Sequence, residues 1–128
     1  MMVTENLWSP DINISSQSTP KMLMKKQASE LGIITKNIVE ADVKTSIINE
    51  GYVHCFDLIA PLLNYERVTL LCIEQPLVEE YPLIINSDYY TRQDCSCDSL
   101  EKFNSCLKEI LSSKEVSKII NSLIAQSS

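Results

Sequence analysis

The chain has 128 residues, 45% of them hydrophobic and 22% charged, with a formal net charge of −6; this is the size and balance of one folded domain and excludes a disordered chain. Eleven Lys and Arg stand against 17 Asp and Glu, with no basic stripe to neutralise phosphates, so neither nucleic acid nor an anionic membrane surface is an expected partner. Two glycines and five prolines favour long regular elements over a loop-rich scaffold.

The start, Met-Met-Val-Thr-Glu-Asn-Leu-Trp, lacks the basic segment and apolar run of a secretory signal. No window approaches the roughly 18 uninterrupted apolar residues of a membrane-spanning helix. The five cysteines are odd in number and scattered, unlike a secreted disulfide framework. A cytoplasmic protein with reduced thiols is the expectation.

Residues 1–18 show no clean period and read as a partly disordered arm, with Trp8 either docked on the body, exposed, or serving a partner. A single domain is expected over 19–128. Thr19-Pro20 reads as an N-cap with proline at the first helical position. Helical spacing of Met24, Ala28 and Leu31 predicts a helix over Pro20 to Leu31, ended by Gly32 in a left-handed conformation.

From Asn37 to Ile48 the period becomes two. Val39, Ala41, Val43, Thr45 and Ile47 share one face, and Glu40, Asp42, Lys44 and Ser46 the other, as in a strand with one wet side. Asn49-Glu50-Gly51 reads as a turn, with Gly51 able to take positive φ. The second strand is Tyr52 to Ala60, halted by Pro61. Glu66 to Ile73 is the third, apolar on both faces and so expected near the middle of the sheet; Leu83 to Asn86 is a short fourth strand near an edge.

Ser87 to Cys97 has neither period and reads as a loop. Asp98 with Glu101 has a capping-box pattern before the stripe Leu100, Phe103, Leu107, Ile110, Leu111. Ser112-Ser113-Lys114-Glu115 repeats the box before Val116, Ile119, Ile120, Leu123 and Ile124. The expected fold is α+β: a four-stranded antiparallel meander sheet with one N-terminal and two C-terminal helices packed mainly on one face.

Chemistry is sparse. Cys95, Cys97 and Cys106 with His54 could supply zinc ligands, but a C-x-C pair in a loop is a poor match to structural zinc spacing, and no metal or cofactor is expected. His54 and Cys55 are neighbours in a strand and point to opposite faces, while Cys72 on the next strand can lie opposite either one. Glu40 and Asp42, about 7 Å apart on one strand face, continue into Lys44 as a solvated row. No phosphate loop, nucleophile elbow or H-E-x-x-H pattern occurs. No catalytic residue is assigned.

Tyr81, Tyr89, Tyr90, Arg92 and Asp94 cluster around the 81–97 loop, and Tyr and Arg are the residue types that anchor interfaces. The preferred function is therefore a small acidic non-enzymatic binding domain, of the kind found in immunity proteins or antitoxins, chaperones and adaptors. It would act through that loop and the polar sheet face on another protein, for which a basic one suits the charge. Pairing with a second copy through an edge strand or the last helix is compatible. The alternative is a small-ligand protein or enzyme with a pocket between sheet and helices, using His54 and a cysteine.

Overall fold

The computed structural model describes residues 5–12, 19–49, 51–89 and 95–128. Within them the chain forms α1 (Pro20–Ile34), β1 (Glu40–Ile48), β2 (Gly51–Ala60), a 3-10 turn (Pro61–Leu63), β3 (Glu66–Pro76), β4 (Leu83–Asn86), β5 (Cys95–Cys97), α2 (Leu100–Leu111) and α3 (Lys114–Gln126). The strands lie side by side in sequence order and every pairing is antiparallel. The expected α+β meander is thus observed with one more strand, and β3 is central.

That extra strand is a correction to the loop expected over Ser87 to Cys97. Three residues of Cys-Ser-Cys carry no readable period; their pairing with Leu83, Ile84 and Ile85 of β4 makes them a strand.

Helix α1 begins as its sequence suggests: the Met22 N–H donates to Thr19 Oγ1 at 3.2 Å, and Pro20 follows the cap. Its buried residues, Pro20, Met24, Ala28 and Gly32, recur every fourth position as one narrow row. The helix runs on to Ile34 instead of ending at Gly32, whose φ is not positive. A Cβ on Gly32 would sit 3.1 Å from Asn37 Oδ1, so close packing explains this glycine. Lys36 and Asn37 take the left-handed conformation instead (φ 54° and 63°), and β1 therefore starts at Glu40.

Gly51 is a second correction. Asn49 supplies the positive φ of the hairpin (55°), and Gly51 is needed because a Cβ there would lie 2.7 Å from the Gln75 carbonyl oxygen. Helix α2 is capped by Ser99, not Asp98, with Ser99 Oγ accepting from the Lys102 N–H at 3.2 Å. Ser113 caps α3 in the same way, accepting from Val116 N–H.

The helices cover one face of the sheet. Phe56 and Leu58 of β2, Leu70, Leu71 and Ile73 of β3 and Leu83 of β4 pack under Met24 of α1, Phe103 and Ile110 of α2 and Val116 of α3. Fully burying a side chain of this size stabilises by roughly 1.5–3 kcal/mol. Leu70 and Leu71 are both buried because the β2–β3 register shifts between Phe56 and Asp57, where a bulge turns two consecutive residues inward. The apolar run on β3 reflects that bulge.

Candidate functional site

Alternate residues of the same strands build the uncovered face. Register places Asp42 opposite Asp57 and Asp57 opposite Thr69, one row across β1, β2 and β3. Two carboxylates directly opposite each other repel unless a cation lies between them. Arg67, opposite Ile59, reaches diagonally to do this. Its guanidinium makes a two-pronged contact with Asp42, Nη1 to Oδ1 at 3.1 Å and Nη2 to Oδ2 at 2.9 Å, and donates from Nη1 to Asp57 Oδ2 at 3.0 Å. Thr69 Oγ1 donates to the other Asp57 oxygen at 2.7 Å.

Asp57 is 5% exposed although no helix covers it; its neighbours shield it and occupy both carboxylate oxygens. The guanidinium is held above its ordinary value chiefly by its hydrogen bond to Asp42, with Asp57 adding to this and desolvation opposing it. The network holds Asp42, Arg67 and Asp57 in fixed mutual positions on the uncovered face.

One row along, Cys55 and Cys72 are directly paired and joined by a disulfide, with Cα atoms 4.0 Å apart. This corrects the expectation of reduced thiols: strand register brought two cysteines 17 residues apart into contact, which cysteine spacing alone does not reveal. Further along, Ile48, Val53, Pro82 and Ile84, with Glu74 and Ser96 among them, line a shallow depression of about 330 Å³. Ile48 and Ile84 are 54% and 47% exposed there. The face therefore carries an apolar hollow at the hairpin end, the disulfide in the middle and the fixed charges at the far end.

Of the residues expected at a binding loop, Tyr81 and Tyr89 are half-buried and pack against the core. The Tyr89 N–H donates to Ser87 Oγ at 3.2 Å, and Ser87 Oγ donates to the Leu70 carbonyl at 2.6 Å, anchoring the start of the loop to β3. The Tyr81 hydroxyl is buried with no hydrogen-bond partner among the described residues, and burial, then Glu80 and Cys97, push its pKa up. Tyr90, Arg92 and Asp94 lie outside the described residues. Trp8, described within the arm, is 77% exposed.

The other face holds His54, 3% exposed, with Nδ1 2.8 Å from Thr45 Oγ1 and its ring stacked on Tyr52 at 5.8 Å. As expected from alternation, it points away from Cys55. Cys72 lies opposite Cys55, so neither cysteine meets the imidazole. Cys97 and Cys106 are neighbours, with Sγ atoms 4.0 Å apart, but β5 stands three strands from β2, about 14 Å away at ordinary strand spacing. The structure thus does not gather His54 with Cys97 and Cys106.

Sequence reasoning passed over Asp57 and Arg67. The available signal was a carboxylate at a wet-face position between Cys55 and Ile59 in an otherwise apolar strand; its partners depend on register across three strands. No helix of the described residues is long and apolar enough to cross a membrane. No protein family, curated protein or solved structure matches the chain.

Proposed function

We propose that this protein is a small non-enzymatic binding domain that docks another protein on the uncovered face of its sheet. The observation that supports this reading is the make-up of that face: an exposed hollow with Ile48 and Ile84 as apolar anchors and Glu74 among them, beside the hydrogen-bonded Asp42–Arg67–Asp57–Thr69 network. Apolar anchors flanked by fixed, hydrogen-bonded charges are what a protein interface uses for affinity and register. A net charge of −6 suits a basic partner, as in an immunity protein or antitoxin, a chaperone or an adaptor. Tyr90, Arg92 and Asp94, which the sequence assigns to the same interface, lie outside the described residues.

Capture from the native host with three forms of the protein tests it. Wild type and a helix-side variant, Lys118→Glu, should recover the same stoichiometric partner, and Ile84→Arg should lose it. Recovery by all three forms would place the contact elsewhere.

Strand β1 is an edge of the sheet with no proline along its nine residues, so pairing with a second copy is part of the proposal; light scattering reads it directly. On location, two observations pull apart. The sequence favours the cytoplasm, whereas the Cys55–Cys72 bridge favours an oxidising compartment where such bonds persist. Thiol trapping in intact host cells decides between them.

A further inference from the structure

On the helix-covered side, where the first turn of α1 meets the hairpin end of the sheet, Lys21, Thr45, Tyr52, His54, Gln75 and Glu80 line a pocket of about 300 Å³. Its lining is polar or aromatic at every one of these positions, unlike the apolar core beside it. One buried atom in it, Gln75 Oε1, is unsatisfied, and one ring nitrogen, His54 Nε2, is not engaged by the protein among the described residues. His54 is almost fully buried and uses Nδ1 on the Thr45 hydroxyl, while its Nε2 has no protein partner among the described residues. Gln75 Oε1 is sealed from solvent and likewise has no partner. Leaving the Gln75 amide unpaired is unfavourable, and a polar ligand that also takes the open His54 Nε2 relieves it.

The surrounding charge says which ligand. Burial, then Lys21, then Lys25 push the His54 pKa down, so both lysines place positive potential at the ring. Glu80 faces the pocket from the β3–β4 connection. Around the α1 cap, Pro20 has no N–H and Thr19 takes the N–H groups of Met22 and Leu23. The Lys21 N–H therefore remains an open donor at the positive end of the helix. When the Thr45 hydroxyl donates to Nδ1, the imidazole proton sits on Nε2 and points a donor at the pocket.

We propose that this pocket binds a small oxyanion, a carboxylate or a tetrahedral phosphate or sulfate group, held between the Lys21 ammonium and the His54 Nε2–H with Lys25 reinforcing the field. Gln75 completes the site by turning its amide so that the NH₂ donates. The site opens on the helix-covered side of the sheet, although Tyr52 and Gln75 also border the hollow of the proposed docking face, and its test needs no docked partner.

His54 is the only histidine in the chain, so its ring proton is an unambiguous reporter in proton NMR. Titrating the protein with sodium sulfate, and separately with sodium acetate, against sodium chloride at matched ionic strength should give a saturable shift with one or both oxyanions and none with chloride. The imidazole pKa should rise as the pocket fills, because a bound anion favours the imidazolium. Lys21→Gln, folded by its amide fingerprint, should bind about tenfold more weakly, the loss expected for one charge-assisted contact. A sulfate-only response identifies a tetrahedral group, and an acetate-only response a carboxylate. An equal response to chloride, a linear response to both oxyanions, or unchanged binding by Lys21→Gln would overturn the proposal.

Discussion

On β2, His54, Phe56, Leu58 and Ala60 point to the helices, whereas Val53, Cys55, Asp57 and Ile59 point away from them. The first set is buried, with His54 bordering the polar pocket; of the second, only Asp57 is buried, and Val53, Cys55 and Ile59 stay half-exposed. One face is closed by the helices, with Phe56, Leu58 and Ile73 in one core with Met24, Phe103 and Val116, although Leu31, Phe56, Leu58, Leu70 and Val116 still line a cavity of about 440 Å³ between α1, α3 and the sheet. The other, left without a helix, is ordered by a covalent bridge and by charges that satisfy one another. A sheet face can therefore be cross-linked without being covered by helices.

The contrast should be sharpest in truncation. Phe103→Ala, at the centre of the covered side, should lower stability by about 3–5 kcal/mol in urea denaturation, whereas Ile84→Ala on the open side should lower it by less than about 1 kcal/mol. Similar losses at the two positions would erase the distinction between a core face and a docking face.

Replacing both bridge cysteines (Cys55→Ala with Cys72→Ala) should lower stability by about 3 kcal/mol, as for a closed loop of this length. The same difference should appear between the oxidised and reduced wild type. If reduction leaves the denaturation midpoint in place, the bridge does not order the open face.

Asp57→Asn should cost roughly 2 kcal/mol by weakening its charge-assisted bonds to Arg67 and Thr69. Thr69→Val should cost less, since the Arg67 contact remains. Equal effects would mean the carboxylate is held by the hydroxyl and not by the guanidinium.

The smallest effect concerns the buried imidazole. Its pKa lies below the unfolded value, so the neutral ring stabilises the fold fully above the unfolded pKa of about 6.5, and that contribution is lost as pH falls below it. The unfolding midpoint should decline between about pH 7.5 and pH 5.5, and the decline should be shallower in His54→Gln.

The alternation of Val39 to Ile47 announced β1 and its wet side, and the stripes on α2 and α3 announced two C-terminal helices, because period and face are local properties. The three-residue β5 was not legible, since it exists only through its pairing with β4. The ends of α1 and the start of β1 were misplaced where Lys36 and Asn37, not Gly32, turned left-handed. The open-face site was the least legible part. That Asp42, Asp57 and Thr69 share a row, and that Cys55 meets Cys72, follows from register between strands and from the bulge after Phe56, neither of which one strand encodes alone.

Methyl-labelled NMR of the protein with its captured partner tests the docking face most directly. Resonances of Val53, Ile59 and Ile84 should shift or broaden while those of Ile110, Val116 and Ile120 on the helix side stay in place. Shifts confined to the helix-side methyls would contradict the assignment of the uncovered sheet face as the binding surface.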